Sequence, residues 1–159
     1  MAEEFVEGNF LGLAKPDGKP DIVVLSVPYE LTTSYGQGTA EGPSACVEAS
    51  GQVELFDPLL GEDLPAGQRI STAPPWDGKG NNLAQQLDGI SNYLSPWYDG
   101  EVFPVTLGGE HGILPALVHA AGNHPLVNGD FSKLTICLLY TSDAADDLLC
   151  VDLGGRRII

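Results

Sequence analysis

The stretch Phe103-Pro-Val-Thr-Leu-Gly-Gly-Glu-His111, followed by Gly112-Ile-Leu-Pro-Ala-Leu-Val118, decides how this chain folds. Its first half is apolar and β-prone, with a length that suits one buried strand. Gly108 and Gly109 carry no Cβ, so the backbone there is free to turn sharply through positive φ. Pro115 suits the first turn of a helix, where its missing N–H is no loss, and Leu114, Leu117 and Val118 predict an inward stripe. Glu110 and His111 therefore fall on the loop leaving the carboxyl end of a strand, where open α/β sheets gather their chemistry. A neutral imidazole at such a point can ligate a metal. An ordinary solvated strand-to-helix turn fits the same residues, and one His makes no site because a divalent ion wants several protein ligands.

Upstream, Asp21-Ile-Val-Val-Leu-Ser-Val27 is almost wholly apolar and β-branched, as a parallel strand buried on both faces should be. The leader Met1 to Pro20 places Phe5, Phe10, Leu11 and Leu13 where they can cover a neighbouring surface. Pro28 to Gly42 is a long, polar, glycine-rich loop, and loops of that length tend to be functional. Pro43 opens a helix through Ala49 that ends near Ser50-Gly51. Val53-Glu-Leu-Phe56 predicts a second strand or its beginning, and Ile70 to Thr72 a short one. Leu83, Leu87, Ile90 and Leu94 recur at helical spacing, predicting a core-facing helix from about Asn82 to Tyr93. A helix to about Ala121 follows the central motif, and Leu134-Thr-Ile136 predicts the start of another strand. This alternation means an α/β fold with a parallel sheet.

Gly36-Gln-Gly38-Thr-Ala-Glu-Gly42 lies between a strand and a helix, as a dinucleotide fingerprint does. Its third glycine comes four residues after the second rather than three, and the strand ends too far upstream for the tight first turn. A nucleotide-binding α/β module remains the alternative from another class.

The chain has 159 residues, a globular apolar content of 43% and a net charge of −15. That charge argues against nucleic acid or an anionic membrane as partner and suits a cationic small molecule. No apolar run reaches membrane-spanning length. Met1-Ala-Glu-Glu lacks the basic start and apolar core of a signal peptide, so a cytoplasmic location is expected. Cys46, Cys137 and Cys150 form no Cys-x-x-Cys clip, and Cys46 reads as a small buried apolar residue. His119 and His124 read as solvated, and Trp76 and Trp97 as surface anchors in Pro-rich loops. Glu110 reads either as a neighbour-orienting group or as a side chain facing water.

Two blocks in order carry a resemblance. Val27-Pro-Tyr-Glu, Thr33-Ser-Tyr-Gly, Gly38-Thr-Ala-Glu-Gly-Pro43 and Glu48-Ala-Ser50, continued by Gln52-Val-Glu-Leu-Phe-Asp57, resemble the early strand-loop-helix of the ureohydrolases, the arginase and agmatinase family. Thr106-Leu-Gly-Gly-Glu-His111 resembles the block that supplies that family's first manganese ligand. The similarity runs from about Phe10 to Ile136 and is agmatinase-like in style. It implies a three-layer αβα fold around a mainly parallel sheet, here truncated. It further implies a pair of Mn²⁺ ions that activate a bridging water, and hydrolysis of a guanidinium, agmatine first, to an amine and urea. Arginase, guanidinobutyrase or formimidoylglutamase chemistry needs only different distal contacts. On this resemblance His111 is a metal ligand, the loop around Ser34 and Tyr35 lies near the site mouth, and the assembly is a trimer or hexamer. Catalytic and substrate-binding residues stay unassigned, since the Asp-x-His-x-Asp and Asp-x-Asp blocks expected later are missing from the sequence.

The text changes character after Ile136. Cys137-Leu-Leu-Tyr-Thr-Ser-Asp-Ala-Ala-Asp146 and Cys150-Val-Asp-Leu-Gly-Gly-Arg-Arg-Ile-Ile159 resemble translated read-through of a sequencing-library adapter. Residues 1–136 are therefore expected to be the N-terminal part of a ureohydrolase domain, and 137–159 a non-native tail. Asp143-Ala-Ala-Asp-Asp147 imitates the missing ligand block, but an alanine stands where its His should be. The parallel sheet is expected to show an uncovered edge, and the chain by itself is expected to be inactive.

Overall fold

The computed structural model describes residues 8–137 apart from 32, 34–36, 79 and 81. Five strands and three helices follow one another: β1 (Ile22–Val27), α1 (Gly42–Ser50), β2 (Phe56–Asp57), β3 (Glu62–Asp63), β4 (Ile70–Thr72), α2 (Leu83–Leu94), β5 (Phe103–Gly108) and α3 (Leu114–Ala121). The main sheet is parallel, in the order β4-β1-β5. β1 is its centre, pairing along its whole length with β5 from Ile22↔Phe103 to Val27↔Gly108.

Period-two alternation on β1 builds the layers. Val23, Leu25 and Val27 enter a core with Ile90 and Leu94 of α2 and Ala116 and Ala120 of α3. Val24, on the opposite face, packs with Val47 of α1, Ile70 of β4 and Leu13 of the leader. The sheet thus lies between α2 and α3 on one side and α1 with the leader on the other, the three-layer αβα arrangement, truncated, that the sequence implied. Asn82 caps α2, its Oδ1 accepting from the Gln85 N–H at 3.0 Å. The Ser91 hydroxyl meets His119 Nδ1 at 2.7 Å and fastens α2 to α3, so His119 is exposed yet anchored.

Several expectations are corrected. Val53 to Leu55 do not join a strand. Asp57 Oδ1 accepts from the Leu59 and Leu60 N–H groups, the chain folds back, and Phe56–Asp57 pairs antiparallel with Glu62–Asp63 in a separate hairpin. Leu134 has extended backbone, but Leu134 to Ile136 meet no ladder partner among the described residues. Cys46 is exposed, because Pro43, Val47 and Ser50 occupy the buried face of α1. The inward stripe of α3 is Ile113, Ala116 and Ala120 with Leu117, not Leu114 and Val118. Trp76 is a core residue at 6% exposure, its ring centroid 6.4 Å from that of Tyr29 and tilted by 49°. Trp97 is half-buried against the same core. β5, read as a buried strand, is an edge strand among the described residues, in line with the uncovered edge expected of the sheet: Phe103 is 67% exposed and Val105 36%. A six-residue apolar run does not by itself distinguish a strand flanked on both sides from one flanked on a single side.

The opposite edge is covered. Asn9 is buried and its side-chain amide acts as a short length of strand: Oδ1 accepts from the Thr72 N–H at 2.8 Å, while Nδ2 donates to Leu13 O at 2.8 Å and Ile70 O at 3.4 Å. The Phe10 N–H adds a bond to Thr72 Oγ1 at 2.9 Å. Phe10, Leu11 and Leu13 thus cover a surface as expected, whereas Phe5 lies outside the described residues. Among the described residues no helix is long and apolar enough to cross a membrane.

Candidate functional site

Carbonyl groups near the end of β1 hold both loops of the sheet's C-terminal rim. Ser26 O accepts from the Trp76 N–H at 2.9 Å, after β4; Val27 O accepts from Gly109 at 3.1 Å and Tyr29 O from Glu110 at 3.0 Å, after β5. The two glycines of the motif are needed for a reason other than the expected one, since neither has positive φ. A Cβ on Gly109 would overlap the Tyr29 carbonyl oxygen and sit 3.0 Å from that of Thr39; on Gly108 it would meet Ile113 Cδ1 at 2.5 Å. Close backbone approach, not turn handedness, makes Gly109 a glycine.

The turn therefore sets two neighbouring side chains apart. Glu110 is buried, at 7% exposure, which corrects the expectation that it could face water. His111 is exposed and begins a short 3₁₀ turn, His111–Ile113, that leads into α3 with Pro115 in its first turn. Tyr29, fully buried beside this rim, has a hydroxyl with no hydrogen-bond partner among the described residues. Burial raises its phenol above the ordinary value, and the negative charge of Glu110 adds to the rise.

From the other side comes the loop after β1. A 3₁₀ turn, Thr39–Glu41, closes it, with Gly38 in the left-handed region at φ 109°. Glu30 Oε2 accepts from the Gly38 N–H at 2.8 Å, the Ala40 N–H at 3.0 Å and the Thr39 hydroxyl at 3.1 Å. These amides, which a phosphate would need on the nucleotide alternative, already hold a carboxylate of the chain itself. Ser34 and Tyr35, expected near the site mouth, lie outside the described residues, as do Asp143 to Asp147.

A cleft of about 760 Å³ opens along the same rim between α1, the leader and the loop after β4, lined among others by Ser26, Pro28, Ala40, Pro43 and Thr72. His111 does not line it. Among the described residues no group of three or more His, Cys, Asp or Glu side chains could hold a metal ion. A divalent ion needs several donors, so the residues present do not by themselves fit the implied manganese pair; His111 offers one exposed imidazole. Sequence reasoning missed Glu30 and Asn9, because Glu30 bonds a turn eight to ten residues on and Asn9 bonds β4 more than sixty residues on, so no local pattern marks either.

The Arginase family model matches residues 20–133, from the approach to β1 through the turn after α3. The chain belongs to the arginase family. An N(1)-aminopropylagmatine ureohydrolase of Synechocystis is 35% identical over 103 residues, covering 62% of this chain and 34% of that protein. An agmatinase of Bacillus cereus is 31% identical over 93 residues, covering 57% and 31%. The agmatinase of Bacillus subtilis aligns over 157 residues at 26% identity, 98% of this chain and 50% of that one. The chain thus spans about a third of the length of the first two relatives. Among solved structures, proclavaminate amidino hydrolase of Streptomyces clavuligerus superposes with a TM-score of 0.64 at 22% identity, covering 76% of this chain and 41% of that one. A hypothetical agmatinase of Burkholderia thailandensis gives 0.65 at 24%, covering 75% and 38%. Those likenesses establish an arginase-like α/β fold.

Proposed function

We propose that this chain is the N-terminal part of an enzyme that hydrolyses a guanidinium-bearing small cation, agmatine first, to an amine and urea. The observation that carries the reading is the family match across residues 20–133, which takes in both the strand-loop-helix after Ile22 and the Gly-Gly-Glu-His turn. The rim geometry supports it: the exposed imidazole stands on a glycine that only close backbone contact explains. The net charge, −15 for the whole chain and −13 over residues 1–136, suits a cationic substrate.

In the intact enzyme His111 is one donor to a Mn²⁺ pair, and the remaining donors lie outside the described residues. Residues 1–136 form the native portion and 137–159 an adapter-derived tail. The assembly is a trimer or hexamer in the cytoplasm, engaging neither nucleic acid nor membrane. A second substrate, N(1)-aminopropylagmatine, is favoured by the 35% identity to the Synechocystis ureohydrolase.

Re-amplifying the locus from source DNA and expressing the uninterrupted product tests the reading. Urea released from agmatine or aminopropylagmatine, lost on chelation, restored by Mn²⁺ and abolished by His111→Ala, is the expected result. A reading frame that continues without Asp and His blocks, or that reproduces residues 137–159 unchanged, overturns it.

A further inference from the structure

The loop leaving β1 begins Pro28-Tyr29-Glu30 and returns through Gly38-Thr39-Ala40 into α1. Gly38, at φ 109°, directs its own N–H and that of Ala40 toward one point, a concavity of the kind that binds anions. The occupant is Glu30 Oε2, which also accepts from the Thr39 hydroxyl. Bonds from N–H groups to an ionised oxygen are about twice as strong as neutral ones. The Ala40 N–H, then that of Gly38, hold the Glu30 carboxyl below its ordinary value.

The tied turn has a second contact. Glu41 N–H bonds back to Gly38 O at 3.0 Å, which closes the turn. The Thr39 carbonyl lies so near Gly109 that an added Cβ would come within 3.0 Å of it. Tyr29, the residue before Glu30, accepts the Glu110 N–H. The Gly109 N–H itself goes to Val27 O, while the two carbonyls that crowd the Gly109 Cα, those of Tyr29 and Thr39, border the carboxylate tie.

We propose that Glu30 is a positioning residue for the rim: its carboxylate joins the two ends of the loop after β1 and seats the Thr39 carbonyl on Gly109, the foot of His111. The seating stands on geometry alone; its importance for turnover rests on the hydrolase reading above.

Amide hydrogen exchange on the 159-residue chain tests the seating with two variants. In Glu30→Ala the amides of Gly38, Ala40, Gly109 and Glu110 exchange at least about tenfold faster, with Val24 and Leu25 unchanged. Glu30→Gln keeps an acceptor oxygen but not the charge, and restores part of the protection. Unchanged exchange at Gly109 and Glu110, or equal acceleration at Val24 and Leu25, overturns the proposal.

In the intact enzyme Glu30→Ala lowers kcat for urea release more than it raises KM, and Glu30→Gln recovers part of the loss. A lost seat with undiminished kcat refutes the positioning role while the hydrolase reading stands. A wild-type enzyme that releases no urea refutes the hydrolase reading and leaves the exchange result intact.

Discussion

The two edges of the parallel sheet meet the same problem with opposite results. A bare edge offers unpaired N–H and C=O groups that invite association. On β4 the leader answers it: one buried asparagine supplies an acceptor to Thr72 and donors to Ile70 and Leu13, and the Phe10 N–H adds a bond to the Thr72 hydroxyl. On β5 no described residue does so, and Phe103 and Val105 stand open. The difference teaches that three layers of packing do not finish a sheet; an edge must be closed by its own partner.

The largest effect is expected where the closed edge is broken. Asn9→Ala leaves at least two buried main-chain groups unpaired, and equilibrium denaturation should show a loss of roughly 2–4 kcal/mol. Next is the end of β5, where the rim presses on the open strand. Gly109→Ala forces the Tyr29 and Thr39 carbonyls apart, with an expected loss of roughly 1–3 kcal/mol, read by thermal unfolding.

The double substitution Phe103→Lys with Val105→Lys sharpens the contrast differently. Stability should change by about 0.5 kcal/mol or less, while concentration-dependent self-association, followed by light scattering, should fall. Unaltered association would mean that the open edge is not where copies meet.

The smallest effect concerns the foot of the closed edge. Arg69 bonds Asp21 through Nε at 3.0 Å and Nη2 at 2.8 Å, lowering the Asp21 carboxyl from 3.8 to about 2. A depressed carboxyl stabilises the fold above its unfolded value. That contribution is therefore present above about pH 4 and lost as pH falls toward 2. The pair is exposed, so the effect is small and screened by salt. Acid titration of the melting temperature should lose a measurable part of its slope in Arg69→Ala.

Elements whose signal is local were legible in the sequence. The β-branched run of β1, the 3.6-residue stripe and Asn82 cap of α2, and Pro43 and Pro115 near their helix starts all lie within a residue or two of expectation. What escaped depends on partners distant in sequence. Trp76 is buried because Tyr29 and the core lie above it, and Cys46 is exposed because α1 turns its other face to β1. At the candidate site, the place of His111 on the rim was readable from strand-glycine-glycine order. The burial of Glu110 was not, because it follows from Gly109 pressing against Tyr29 and Thr39, some 80 and 70 residues earlier in the chain.

The Tyr29–Trp76 ring pair has an optical consequence. At 6.4 Å, excitation absorbed by the phenol passes readily to the shielded indole, so light taken up at the rim leaves as blue-shifted tryptophan emission. Tyr29 also carries the carbonyl that supports Glu110, so separation of the rings during unfolding restores tyrosine emission. Over the background of Trp97 and the other four tyrosines, this pair adds a label-free signal of whether the rim is assembled.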